Sequence, residues 1–467
     1  MTVVVSRARR RLTASLFIGI CGISSHARGA DLRDLYVLAL SNDPTYQAAA
    51  FTLQAARQLR PEAFSALLPS IVANGSGSRT FGRTKYTDIS AVNRSFDADQ
   101  WVLQLTQPLF RAETMLAYGE ARASVEQAVA QYAVAEQDLI LRVTRAYFDE
   151  VIAERHVGAA HAQVISLNEQ LHAARHSFEA GVASITDVDD TQSRAALAEA
   201  QEVAAMNDLE SSRAALEAII GMTPPSLHSL KINAILPRPD PSEVASWVDR
   251  AIADNPAVKA ANAAVSVADY ELDRSHAQRL PTVDMVATYG GNYASGNITE
   301  PSNFGTNVRD RQVSVQVTVP LLEGGALHAH VAEARAKRAK AQADYTAAQR
   351  QAALSARQSF AAVLSGISQV RALETSVAAG RSAVKGNRIG YGLGIRINSD
   401  VLNSEQQLYS TLQDLDKARY DTLFEGLKLK AATGELSSDD LRAVNMLLEP
   451  GPVADAIEGA PIPPHSP

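Results

Sequence analysis

Two uninterrupted helical patterns of some 65–70 residues, from about 112 to 180 and from about 326 to 390, limit what this chain can fold into more than any other feature. At 1.5 Å per residue each is on the order of 100 Å long. A globular core cannot bury such a rod, so each must run beside equally long neighbours. The spacing agrees. Val125, Tyr132, Leu139 and Ala146 recur every seven residues, with Ala121, Ala128 and Ala135 filling the seam. Tyr345 and Ala352, with Ala341 and Ala348, hold the matching places in the second pattern, and Val401, Leu408 and Leu415 repeat the interval later. These are coiled-coil heptads, and the alanines let helix axes approach closely. Alanine, Gln, Glu and Arg dominate, aromatics make up only 6%, and most of the chain reads as strong helix former.

Landmarks recur about 212 residues apart. Pro44 answers to Pro256, Pro69 to Pro281 and Pro108 to Pro320; after one residue of slippage Gly181 answers to Gly394, Asp187 to Asp400 and Gly221 to Gly434. The chain is therefore two copies of one unit, each reading short helix, helix, strand, strand, very long helix, hairpin turn, helix. The first copy occupies 31–222, with helix over about 31–67, strands at 69–84 and 97–108, a long helix over 112–180 and a return helix over 187–220. The second occupies 242–448, with strands at 281–295 and 309–320, a long helix over 326–390 and a return helix over 400–433. Prolines 224, 225, 237, 239 and 241 make the 223–241 linker an irregular belt. The 449–467 tail, rich in proline and small residues, is expected to be disordered.

Trp101, Leu103 and Leu105 alternate with Gln104 and Thr106, and Val313, Val315, Val317 and Val319 alternate with Ser314, Gln316 and Thr318. Each strand has one apolar and one polar face, which fits a membrane barrel or a soluble sheet. Polar loops are expected at 85–96 and 296–308. Phe81, Tyr86, Tyr289 and Tyr293 fall where an interfacial aromatic girdle belongs.

The first 30 residues read as a secretory signal peptide: Arg7, Arg9, Arg10 and Arg11, an apolar run over 12–23, and small residues at the expected cleavage near 27–30. Cys21 lies inside it, so the mature chain is expected to have no thiol, disulfide or lipid anchor. The net charge of −7 becomes more negative once those arginines leave, which argues against nucleic acid as a partner. No later run of about 18 apolar residues exists, so a membrane can be crossed only by strands. Four strands leave two open edges that lipid does not tolerate, which excludes a monomeric pore; two chains would give about eight strands and three about twelve.

In Phe178–Asp190 and again in Gly390–Asn403, a long helical pattern stops at a glycine and a Thr/Ser-Asp pair opens the next. Glycine takes the positive φ that ends a helix, and Thr186, Asp187, Ser399 or Asp400 can cap the return. With these turns, and from the Asn-Asp-Pro at 42–44 to the Leu-Ser-Ser-Asp-Asp-Leu at 436–441, the chain resembles the TolC family of outer-membrane channel proteins. The resemblance implies a mainly α fold with a transmembrane β-barrel part. Long coiled-coil helices of a homotrimer form an α-barrel continuous with a shared 12-stranded β-barrel, in the outer membrane of a Gram-negative cell and extending into the periplasm.

It also implies where the gate lies. Thr186, Asp187, Tyr391 and Arg396 match the family's latch: with the hairpins side by side, Asp187 accepts from the Tyr391 hydroxyl and Arg396 reaches Thr186. Asp400 is expected to ring the pore constriction, with Asn403 standing where close relatives of the family's namesake carry a second acidic ring. A periplasmic adaptor (membrane fusion) protein would dock around Gly181-Val182 and Gly394-Ile395, and an inner-membrane ABC or proton-driven transporter would supply the energy. Outer-membrane lipid is the remaining partner. No catalytic motif, cofactor or nucleotide site is read; His172 and His176, with His161 nearby, have metal-compatible spacing but read more plainly as a solvated helix face. The expected function is an exit duct for type I protein secretion. The rivals are a duct for small-molecule efflux and a periplasmic coiled-coil scaffold without a pore.

Overall fold

The computed structural model describes residues 31–87, 89–298 and 304–449. The expected signal peptide and all but the first residue of the expected tail lie outside them. The first copy contains α1 (Leu32–Asn42), α2 (Pro44–Ser65), β1 (Ser70–Tyr86), β2 (Ile89–Phe110), α3 (Ala112–Glu179) and α4 (Ile185–Ile220). After the short strand β3 (Ser229–Leu230), the second repeats the order as α5 (Val244–Asp254), α6 (Pro256–Ala277), β4 (Thr282–Ala294), β5 (Thr306–Thr318), α7 (Ala326–Gly392) and α8 (Asn398–Thr433). Helix α9 (Ser438–Asn445) and β6 (Leu448–Glu449) follow.

The helical pattern at 31–67 is two helices, because Pro44 has no amide to continue the ladder and takes the first position of α2. Asp43 caps that start: its Oδ1 accepts from the Tyr46 amide at 2.6 Å, and Arg142 of α3 donates to both carboxylate oxygens at 2.8 and 3.1 Å. Burial alone would raise the Asp43 pKa, but these bonds outweigh it and hold the carboxyl below its usual range. In the second copy Asn255 does the same work, accepting from the Ala257 and Val258 amides while donating to the Ala432 carbonyl.

The two short strands β3 and β6 pair with each other, and the other four form one antiparallel sheet in the order β1-β2-β4-β5. Its register places Ile71, Leu105, Ala287 and Val313 in one row, and Val72, Gln104, Thr288 and Gln312 in the next row on the opposite face. One face is thus apolar and exposed, with Val313 74% accessible, and the other is polar. Strand β2 begins at Ile89 rather than 97, so little of the expected loop over 85–96 is loop; residues to Val92 pair with β1, and the first hairpin outreaches the second. Its polar Asn and Ser residues are compatible with a ladder, because main-chain bonding does not require apolar side chains.

The core sits at the waist of the rod. Leu32 and Leu35 of α1, Leu139, Val143 and Tyr147 of α3, Leu216 and Ile220 of α4, and Leu441 of α9 are all fully buried there. Each contributes roughly 1.5–3 kcal/mol of transfer free energy. The belt is tied to this core through two tyrosines. Tyr147 donates to the His228 carbonyl at 2.8 Å, and the Tyr420 hydroxyl accepts from the Leu230 amide at 2.8 Å. The Leu-Ser-Ser-Asp-Asp-Leu segment starts α9 with a Ser437–Asp440 capping box, which aims Leu441 inward. Among the described residues no helix is long and apolar enough to cross a membrane.

Candidate functional site: the helical tip

The rod ends opposite the sheet in two helical hairpins, α3–α4 and α7–α8. Both turns use glycine in the left-handed region: Gly181 has φ 75° and Gly394 has φ 72°. After Gly181, Ser184 caps α4 in a reciprocal box with Asp187, the Ser184 amide reaching Asp187 Oδ2 at 3.3 Å. Thr186 also turns to Ser184, their hydroxyls 2.8 Å apart. In the second turn the amides of Ile395 and Arg396 both donate to the Gly390 carbonyl, folding the Arg396 stem over the glycine. The Arg396 guanidinium then faces Asp400 of its own turn at 3.6 Å.

The two expected latch bonds are therefore not among the hydrogen bonds of the described residues. Asp187 and Thr186 are drawn to the capping box, Arg396 to Asp400, and the Tyr391 ring is exposed. A short polar side chain at a helix start is satisfied most readily by its own first turn, and that local partner wins here. Val182 and Ile395, expected to receive an adaptor, are 79% and 75% exposed at the two turns. Asn403 lies exposed one turn beyond the half-buried Asp400.

What joins the hairpins lies just above, and the sequence reading missed it. Asn398, 6% exposed, donates to Thr191 Oγ1 at 2.9 Å from α8 to α4. About two turns on, Glu405 is 5% exposed, yet its carboxylate accepts from Gln170 Nε2 of α3 at 2.7 Å and from Arg388 Nε of α7 at 2.8 Å. Ser166 Oγ stands at 3.4 Å. Leu402 packs beside this node against Leu167, Ala195 and Ala198 of the first hairpin. Further up the same seam Arg155 grips Asp416 with two bonds, at 2.8 and 3.1 Å, and Arg145 reaches Asp421 at 2.8 Å. Burial would lower the Arg155 pKa, but Asp416 more than reverses that, so the guanidinium stays charged. The clue available in the sequence was a charged residue on the apolar stripe of α8: Glu405 follows Val401 by four residues, on the buried face.

The histidines do not converge. His172 is exposed, His176 stands 3.6 Å from Glu179, and His161 bonds Glu202 at 2.7 Å. Among the described residues no group of three metal-ligating side chains is found.

A sheet with one apolar face, set on pairs of long helices that end in capped turns, defines a class: an outer-membrane channel with a periplasmic α-helical barrel. The chain belongs to the outer membrane efflux protein family, whose model matches residues 35–222 and 247–435, one match for each copy. It is 31% identical over 424 residues to the alkaline protease secretion protein AprF of Pseudomonas aeruginosa, covering 88% of this chain and 86% of that one. It is 28% identical to the proteases secretion protein PrtF of Dickeya chrysanthemi, over 95% of this chain and 96% of that one. To the outer membrane protein TolC of Escherichia coli it is 28% identical, over 94% and 89%. In fold it is similar to the outer membrane protein VceC of Vibrio cholerae, with a TM-score of 0.72 at 18% identity over 86% of this chain and 96% of that one. The protein is thus an outer-membrane channel that extends into the periplasm, and its work is transport.

Proposed function

We propose that this chain is the exit duct of a type I protein secretion system, assembled as a homotrimer and gated at its helical tip. The observation that carries the cargo class is the likeness along nearly the whole chain to two relatives named for protease secretion. Three copies of the four-stranded sheet would give twelve strands and a lumen, with each open β1 edge meeting a β5 edge. The polar sheet face would line that lumen.

The tip reading rests on geometry. Asn398–Thr191 and the Glu405 node hold the second hairpin against the first, while Thr186, Asp187, Tyr391 and Arg396 shape the turns below. Asp400 of each chain would face the axis and attract cations, moderated by Arg396 at 3.6 Å and by the neutral Asn403. A periplasmic adaptor seated on the exposed Gly181-Val182 and Gly394-Ile395 turns opens the duct only if it binds the splayed state more tightly than the packed one. An inner-membrane ABC or proton-driven transporter would supply the energy.

The deciding experiment compares the culture-medium proteome of the native organism with and without this chain. Loss of one large protein, restored by complementation, is the expected result. An unchanged medium combined with new sensitivity to dyes and detergents would overturn the secretion reading in favour of small-molecule efflux, which membership of the outer membrane efflux protein family also accommodates.

A further inference from the structure

The apolar face of the sheet ends at its outer rim in a group of side chains that transport does not use. Trp101 of β2 and Tyr289 of β4 meet edge to face, with centroids 5.2 Å apart, and Trp101 lies across Gly291, where an added Cβ would stand 2.7 Å from its Nε1. The Arg311 guanidinium of β5 sits over the other side of Tyr289, 5.2 Å from its centroid. Register places Arg311 opposite Tyr289 and Arg309 opposite Gly291, so both arginines project from the same face as the valines. Both are exposed.

Depth follows from chain geometry. The nine residues from Arg309 to Thr318, the inner end of β5, span about 23 Å along the membrane normal, taking ~3.4 Å per residue and a tilt of ~40°, close to the ~25 Å apolar band of an outer-membrane barrel. Arg309 and Arg311 therefore stand at the outer headgroup level. Among the described residues neither has a carboxylate partner, and Asp310 between them points to the polar face. Arg79 pairs with Asp97 at 3.0 Å and Arg111 with Asp284 at 2.7 Å, whereas Arg83 of β1 also has no carboxylate partner among the described residues. Two unpaired guanidiniums beside an aromatic platform suit a ligand with phosphates for the forks and a sugar body for the rings.

We propose that Arg309 and Arg311, with Trp101 and Tyr289, bind the phosphorylated headgroup of an outer-leaflet glycolipid. This rests on the outer-membrane placement of the chain and not on its cargo. The site would fasten a shell of glycolipid around the barrel and fix its height in the membrane.

The test uses the purified full-length oligomer in nanodiscs, titrated with bis-phosphorylated lipid A, with the same lipid stripped of phosphate, and with phosphatidylglycerol, bound lipid being counted by native mass spectrometry. The expected result is about tenfold tighter binding of the phosphorylated glycolipid than of the other two, a preference erased in R309S/R311S. Equal binding of the first two lipids by the unaltered protein would overturn the proposal, and needs no variant to fold. So would an undiminished preference in R309S/R311S, or phosphatidylglycerol binding as tightly as lipid A. No cargo takes part, so absence of the preference in the unaltered protein, with secretion intact, overturns this site alone, and failure of the secretion reading leaves the site standing.

Discussion

Replacing Glu405 by alanine should loosen the tip while leaving the rod assembled. The carboxylate holds two bonds shorter than 3 Å to side chains on different helices, Gln170 and Arg388. Hydrogen bonds to a charged group contribute about 1.5–3 kcal/mol each. The Arg388 side chain is 55% exposed and regains much of its share from water, whereas Gln170 is half-buried and regains less. The net weakening between hairpins is then about 2 kcal/mol per chain, or roughly a thirtyfold shift toward the splayed state. The assay is conductance of the purified protein in a planar bilayer at low voltage, beside its thermal unfolding. E405A should raise the open fraction by more than tenfold, and E405Q, which keeps one acceptor oxygen, by less. If E405A lowers the melting temperature but conducts as the unaltered protein does, the node supports folding only, and its assignment to the gate is wrong.

Three other outcomes follow from the same structure. Asp400→Ala should reduce cation selectivity and block by trivalent cations in the bilayer, and Arg396→Ser should increase both by removing the guanidinium 3.6 Å from Asp400. Glu150 is 4% exposed, and burial pushes its carboxyl up to about 7 despite Arg213, with Glu154 and Glu210 adding to the rise. A carboxyl raised in the folded state binds more protons there than when unfolded, so its contribution to stability is lost as pH climbs from about 4.5 to about 7. E150Q should stabilise at pH 8 by about 1–2 kcal/mol and flatten thermal stability across that window. Gly434→Ala should cost more than Gly181→Ala, by about 2 kcal/mol in unfolding free energy: both take positive φ, but a Cβ at 434 meets the Asp254 carbonyl oxygen at 2.5 Å, while at 181 nothing lies within 4 Å.

Periodic features were legible in the sequence and local competitions were not. Heptads place Leu139 and Leu415 on buried seams, and period-two valines place Val313, Val315 and Val317 on one sheet face, because a repeating pattern accumulates over many residues. The succession of a short helix and a second helix at Pro44 was legible too, but the reach of β2 to Ile89 turned on main-chain pairing that its polar side chains do not advertise. At the tip, residue types at the right places did not decide who bonds to whom. Asp187 and Thr186 had a partner three or fewer residues away in Ser184, and nearness won over any bond across the copies. Glu405 was missed for the opposite reason: its partners Gln170 and Arg388 are distant in sequence, and only the packing of three helices brings them to one carboxylate.

The sheet order β1-β2-β4-β5 leaves one bare edge at each end of every chain. Lipid cannot accept either until another copy has covered it. Membrane entry and association are then a single event, and the rate of producing finished ducts rises more steeply than the first power of chain supply. Halving expression should leave fewer than half as many working ducts while the surplus waits in the periplasm. The cell's dose of this gene would act as a threshold, not as a dial.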